Sequence, residues 1–267
     1  MNLDLNWINA ISSEIESLEP FNRTFPINDG IIDIEKYSNA KIKILWVLKE
    51  VNDKDKDGDI DGGYDSRESI KKIDVNKKGK WRSTFNPIIY TSYGILNNYI
   101  KWECIESTYH NQSVIDILKS IAIINIKKIP GSSSSNMAII KDFYIKHKNI
   151  ILQQIEAYEP DVIIGGGKTL KLLINDLSLN FIDISPIKYA LKKNQLFIDT
   201  FHPNNRIIKQ SEYCNSIINC VKNWQLKKYD VLKVPTFILF KDSNELHRIV
   251  GFKNDVEFEK QIRPFIK

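Results

Sequence analysis

The sequence predicts an α/β fold of three layers, α/β/α, with a central, mostly parallel four-stranded sheet and a C-terminal β-hairpin–helix appendage. Three observations predict it. Four apolar runs are continuous rather than alternating, the pattern of strands buried on both faces. Helical periods fall between these runs, so strand and helix alternate as they do around a parallel sheet. Residues 229–267 then change texture to two short strand patterns and a helix.

The four runs are KIKILWVL at 41–48, SIAIINIK at 120–127, DVIIG at 161–165 and QLFIDTF at 195–201. Helices are expected at 88–102 and at 138–158, the latter stopping before Pro160 as helices usually do. A third helix opens after Gly167, and a fourth runs from about Arg206 to Gln225. In such sheets ligands bind beyond the carboxyl ends of the strands, here 49–52, 125–131, 165–168 and 202–206. Residues 52–80 form a long polar insertion. Its DKDKDGDID, at 53–61, resembles the opening of an EF-hand loop, but the twelfth position is Tyr64 rather than a bidentate Glu. A solvated acidic loop is therefore the preferred reading. GGGKT at 165–169 is a glycine-rich strand-to-helix turn and not a P-loop, since Val162 holds the place of the first glycine of that motif. The expected domains are 1–228, carrying the insertion, and 229–267. No internal repeat marks a solenoid.

Composition narrows the function classes. Hydrophobic residues make up 42% of the 267 and charged residues 27%, ordinary values for a globular protein. No run approaches the roughly 20 apolar residues of a membrane span, and the acidic, amphipathic N-terminus lacks the features of a secretory signal. A cytoplasmic protein without a membrane partner is expected. Cys104, Cys214 and Cys220 form neither a CxxC pair nor a zinc spacing, so no disulfide framework, metal site or cofactor is expected. A net charge of +5 permits a phosphate-backbone partner without demanding one.

Five segments carry a resemblance: ILWVLKEVN at 44–52, RSTFNPIIYTSYGIL at 82–96, AIINIKKIPGSSSSN at 122–136, ILQQIEAYEPDVIIGGGKTLKLL at 151–173 and FHPNNR at 201–206. In this order, over residues 40–206, the chain resembles bacterial and archaeal glycosylases of the uracil-DNA glycosylase superfamily, nearest to their Gly-Glu-Ala-Pro type. FHPNNR stands where that family has His-Pro-Ser, and KEVN stands where it has its first catalytic loop.

The resemblance implies recognition of a base in DNA, with N-glycosidic excision of uracil or a modified base. An alternative is a catalytically inactive binder of a modified base or nucleotide in the same pocket. Breaking an N-glycosidic bond leaves an oxocarbenium-like sugar and an anionic base, so the site needs a donor aimed at the departing base oxygen. It also needs an amide for the Watson–Crick edge and an aromatic face. By resemblance His202 is the donor, Asn125 the edge reader and Phe85 the stacking ring, with Glu50 and Asn52 in the catalytic loop. Asn125 offers a donor and an acceptor, which suits an imide-like edge. Phosphate contacts fall to Lys127, Lys128, Ser132, Ser133, Lys168, Asn204 and Arg206.

His202 and Asn125 are expected on neighbouring strands, facing one pocket and mattering more than any carboxylate of the first loop. The blander readings are a strand-end cap for Asn125, a turn for His202-Pro203 and a core ring for Phe85. The departures lie in the first loop. Val51 replaces the water-orienting Asp or Asn, Lys49 the glycine and Asn52 the proline, so Asn52 or Asp53 would serve only if the loop is shifted. The iron–sulfur cysteines of the nearest relatives are absent, Ile129 standing where one should follow the Asn strand, and no cluster is expected.

YDVLKVPTFILFKDSNELHRIVGFKNDVEFEKQI, from Tyr229, resembles the second half of a thioredoxin domain, including the Val-Pro-Thr at Pro235 and Val250-Gly251. The half bearing the paired thiols is missing, so no dithiol chemistry is expected. The tail reads as a structural appendage or a dock for a protein partner. A thioredoxin-like scaffold without redox activity is the third functional alternative.

Overall fold

The computed structural model describes residues 3–53, 59–77, 79, 81–132, 134–228, 236–241, 244–250 and 255–265. The chain divides into two compact units, Met1–Val221 and Lys222–Lys267.

The first unit opens with α1 (Leu5–Glu16), started by the Asp4 carboxylate, which accepts from the N–H of Asn6 at 3.0 Å and of Trp7 at 3.1 Å. Ile8, Ile11 and Ile15 form its buried stripe. There follow β1 (Gly30–Ile31), α2 (Ile34–Ser38), β2 (Ile44–Leu48), α3 (Ser66–Lys71), α4 (Trp81–Leu96), α5 (Gln112–Ile115) and β3 (Ala122–Asn125). Then come α6 (Met137–Tyr158), β4 (Val162–Gly166), α7 (Leu170–Leu177), β5 (Ile182–Asp183), β6 (Lys188–Lys192), β7 (Gln195–Thr200) and α8 (Gln210–Lys228), whose last turns, from Lys222, fall in the second unit.

The strands form one mixed sheet in the order β1-β3-β2-β4-β7-β6-β5. Its four central strands, β3, β2, β4 and β7, run parallel and correspond to the four apolar runs. The sheet is larger than the four strands expected. β1 is added antiparallel at one edge, and β6 and β5 antiparallel at the other. These edges escaped the sequence pattern for a physical reason. β1 and β5 are two residues long, β5 is exposed on both, and β6 (KYALK) is mostly polar or half-exposed because it covers only one side.

Every residue of β2, β3 and β4 is buried, which is why these strands read as continuous hydrophobic runs. On one face Leu45, Val47, Ala122, Ile124, Ile163 and Phe197 join a core with Ile8, Ile11 and Ile15 of α1, Tyr144 and Ile151 of α6, and Leu170 and Leu173 of α7. On the other, the indole N–H of Trp46 donates to the Ser92 hydroxyl at 3.1 Å, which sets α4 against the sheet. The Cys214 thiol lies 3.8 Å from the Pro87 carbonyl, setting the start of α8 beside α4.

The helix expected at 88–102 runs instead over Trp81–Leu96. Its first turn is anchored from outside, the Trp81 indole donating to the Lys77 carbonyl and Arg82 to the carbonyls of Val75 and Thr108, so Pro87 falls inside it. It ends early because Asn98 and Tyr99 take left-handed backbone, at φ of 59° and 60°.

The second unit holds an antiparallel hairpin, β8 (Thr236–Lys241) and β9 (Asn244–Val250), and α9 (Asp255–Ile262). The Phe237 ring meets Phe258 edge-on at 4.8 Å, and His247 stacks on Phe265 at 5.0 Å. Pro235 and Gly251, which carry part of the thioredoxin likeness, lie outside the described residues.

Candidate functional site

Topology locates the site before any side chain does. From β2 the chain crosses to β3 on one side, returns to β4 on the other side of β2, and continues outward to β7. The connections therefore diverge between β2 and β4, and at such a switch point a crevice opens outside the carboxyl ends of the strands. The loops around it are 49–53, 126–131, 167–169 and 201–206.

Loops 49–53 and 126–131 are zipped together. Ile126 N–H donates to the Leu48 carbonyl at 2.9 Å, Lys127 to Lys49 at 2.9 Å and Gly131 to Val51 at 2.8 Å, while Asp53 N–H donates back to Gly131 at 3.1 Å. Across this seam the Lys127 ammonium meets the Glu50 carboxylate at 2.6 Å, with side-chain exposures of 10% and 7%. Lys127 also donates to the carbonyls of Ile129 and Pro130, at 2.6 and 3.0 Å. Glu50 packs directly on Gly131, where a Cβ would stand 2.7 Å from its carboxyl carbon. Glu50 is thus a brace between two loops, and Lys127 is turned inward to it. Asp53 accepts from the Gly62 N–H at 2.9 Å and the Tyr64 hydroxyl at 3.0 Å, closing the acidic insertion on itself. Asn52 is exposed and bridges to Gly131 through its backbone. Residues 54–58, the heart of the EF-hand likeness, lie outside the described residues.

Asn125, at the end of β3, is 6% exposed. Its backbone N–H donates to the Asp29 carboxylate at 2.7 Å and its side-chain amide to the same oxygen at 3.3 Å. Asp29, 1% exposed, also takes the Lys128 ammonium, at 2.7 and 3.0 Å, and the Gln154 amide, at 3.0 Å. Lys128 donates to the Gln154 carbonyl oxygen at 2.7 Å as well. Burial pulls the Lys128 ammonium below its ordinary range, against the opposing pull of Asp29. This corrects the expectation that Lys127 and Lys128 meet phosphates. Both ammonium groups are committed inside the protein, because the strand-end loop folds back over β3 instead of projecting.

At the switch point itself three residues converge. Gly167 has φ of +76°, and a Cβ there would stand 3.0 Å from Lys49 Cε and 3.2 Å from His202 Cβ. Gly166 is similarly closed off by Pro203 and Leu48, at 2.9 and 3.2 Å, and Gly167 N–H donates to the Thr200 carbonyl at 2.9 Å. The glycine run serves close approach of three strand ends. The His202 Nδ1 accepts from the Asn204 N–H at 3.1 Å, so in the neutral ring the proton sits on Nε2. Burial, with a smaller push from Lys49, brings the imidazole down to about 4. A neutral His202 therefore presents Nε2–H as a donor across the neutral pH range. Lys49 is half-buried, and among the described residues no hydrogen bond or ion pair engages its ammonium.

Asn125 and His202 share one end of the sheet but not neighbouring strands, as had been expected. β2 and β4 lie between β3 and β7, so their backbones stand roughly 14 Å apart at the usual strand spacing. Phe85 is half-buried in the first turns of α4, its ring 6.4 Å from Trp81 and two residues from Pro87. Tyr213 of α8 donates to the Phe201 carbonyl at 3.2 Å, which puts this end of α4 and α8 by the carboxyl end of β7. Lys168, Asn204 and Arg206 are exposed and Ser132 is half-exposed, while Ser133 lies outside the described residues. Sequence reading passed over Lys49 as a mere departure and missed Asp29 altogether, since Asn-Asp-Gly at 28–30 signals only a turn.

A concavity of about 420 Å³ lies elsewhere, at the amino ends of β2 and β3, lined by Asp33, Lys36, Lys41, Leu96 and Ser120 among others. It gathers none of the groups above, and the strand-end loops around the switch point are the stronger candidate on chemistry. Among the described residues no group of three or more His, Cys, Asp or Glu could hold a metal ion, and no helix is long and apolar enough to cross a membrane. No known family model matches the chain, and no curated protein is significantly similar to it.

Proposed function

We propose that this protein recognises a nucleobase displayed by DNA, held in the crevice at the carboxyl end of a three-layer α/β/α domain. The observation that carries the reading is the convergence of Lys49, Gly167 and a neutral His202 at the topological switch point. His202 Nε2–H supplies a donor for a base oxygen, and Asn125 an amide for its edge, with Phe85 near the same end for stacking. The span of roughly 14 Å between the two strand ends suits two side chains reaching inward to opposite edges of one planar base. Lys49, Lys168 and Arg206 are the cations left for the phosphate backbone, once Lys127 and Lys128 are assigned to internal pairs.

The first loop favours binding over excision. Val51 is apolar, Glu50 is tied to Lys127, and Asp53 is tied to Gly62 and Tyr64, so no carboxylate of that loop is left to orient water. Excision of uracil or a modified base is the second reading, and His202 is what favours it, since a preorganised donor at a departing anion is a large catalytic term.

The test uses the full chain and labelled oligonucleotides, single- and double-stranded, each carrying uracil, hypoxanthine, xanthine or a hypermodified pyrimidine. Affinity is read by fluorescence anisotropy at several salt concentrations, and abasic sites by alkaline cleavage. Selective, salt-dependent binding that weakens in His202→Ala supports recognition, and alkali-labile breaks add excision. Affinity equal for every base and unchanged in His202→Ala defeats both.

A further inference from the structure

We propose that Asp29 is a positioning residue: it fixes the orientation of the Asn125 amide and so decides which hydrogen-bonding edge that amide accepts. The inference rests on the proposed role of Asn125 as edge reader and extends it to a residue 96 positions away in sequence.

The argument begins with a cost. Asp29 and Lys128 are both almost wholly buried, with side-chain exposures of 1% and 0%. Taking two charges out of water is expensive, and a well-packed apolar pair of similar size often does as well for stability. Such a pair is therefore better explained by something it holds in place. Five donor contacts converge on the Asp29 carboxylate: two from Lys128, one from Gln154, and the backbone and side-chain N–H groups of Asn125. An ionised carboxylate only accepts. Asn125 must therefore turn Nδ2 toward Asp29, and its Oδ1 is left facing away as an acceptor. Without Asp29 the amide could rotate by half a turn, because its oxygen and nitrogen ends are nearly the same shape.

The consequence is chemical selection. With Oδ1 presented, Asn125 matches a group that donates, such as the ring N–H of a uracil- or hypoxanthine-like lactam. It mismatches a bare ring nitrogen, which needs a donor. Gln154, which bonds both Lys128 and Asp29, fixes the spacing between them.

Two double variants separate orientation from charge. In Asp29→Asn with Lys128→Met the buried charges go, but the new amide still accepts from Asn125, while Gln154, freed from Lys128, flips to accept its N–H. In Asp29→Leu with Lys128→Met the charges also go and no acceptor remains. Two measurements follow on each full-length protein, with folding checked by circular dichroism. One is the side-chain amide NMR signals of Asn125 without ligand. The other is the affinity ratio between oligonucleotides carrying uracil and cytosine at one position.

The intact protein and the Asn/Met variant are expected to show an Asn125 amide protected from solvent exchange and the same base preference. The Leu/Met variant is expected to lose that protection and to shrink the preference on the order of tenfold, the discrimination one neutral hydrogen bond supports. An Asn125 amide that stays equally protected in the Leu/Met variant overturns the role of Asp29. So does a base preference that persists there once protection is lost. An intact protein that does not discriminate between bases defeats the edge-reading role instead, and the amide signals still decide whether Asp29 orients Asn125.

Discussion

Replacing Glu50 by Gln distinguishes a brace from a catalytic carboxylate. In the structure Glu50 sits behind Gly131 and against Lys127, with both side chains about nine-tenths buried. Removing one partner of a buried pair typically costs about 3–5 kcal/mol, because the other charge is left uncompensated. Two features soften that here. Lys127 keeps the carbonyls of Ile129 and Pro130, and glutamine retains one acceptor oxygen of the same shape, so a loss near 2–3 kcal/mol is expected. For a unit of this size that corresponds to a fall of roughly 5–10 °C in Tm. The assay is urea unfolding followed by tryptophan fluorescence, on the single variant and on Glu50→Gln with Lys127→Met. The double variant should recover at least half of the loss, since it removes the stranded cation. A loss under about 0.5 kcal/mol, the range of an exposed pair, refutes the brace. Unchanged stability with abolished base release from an active protein would return Glu50 to catalysis.

Two further predictions concern the switch point. The imidazole of His202, followed by NMR, should titrate with a midpoint of about 4 rather than near its ordinary value. Lys49→Gln should raise that midpoint only in part, because burial is the larger cause. The sign for stability follows: as pH falls below 6.5 the unfolded chain protonates this histidine first, so its contribution is lost between pH 6.5 and about 4. A midpoint near 6.5 would place the ring in solvent. Gly167→Ala should cost about 1–2 kcal/mol for left-handed backbone alone, and should also weaken base binding by forcing Lys49 and His202 apart. Stability and binding both unchanged would mean that the three strand ends are not in contact.

How much of this was legible in the sequence follows from what is local. The four central strands, the stop of α6 before Pro160 and the glycine-rich turn after β4 were all readable, because hydrophobic continuity, proline and glycine act within a few residues. That the loops after the four central strands would gather at one end of the sheet was readable too, as a general property of parallel sheets. The edge strands were not, since two exposed residues at β5 carry no period to detect. The order of the sheet was not either. It separates Asn125 from His202 by two strands, where adjacency had been expected.

Charge shows the division most clearly. The run of Lys127 and Lys128 in a loop reads as a phosphate-facing patch, because lysine is rarely buried. Only tertiary structure brings Glu50 to the first, over 77 positions, and Asp29 to the second, over 99. A buried ammonium is tolerable only beside a carboxylate, and no local pattern says which carboxylate the fold will deliver. The sequence by itself determined the four central strands, the long helix that stops before Pro160 and the glycine-rich turn after β4. Tertiary structure alone decided which polar groups bind each other, as Lys127 binds Glu50 and Lys128 binds Asp29, and which, like the Lys49 ammonium, make no ion pair among the described residues. That choice depends on long-range pairing, which the chain's local periodicity does not encode.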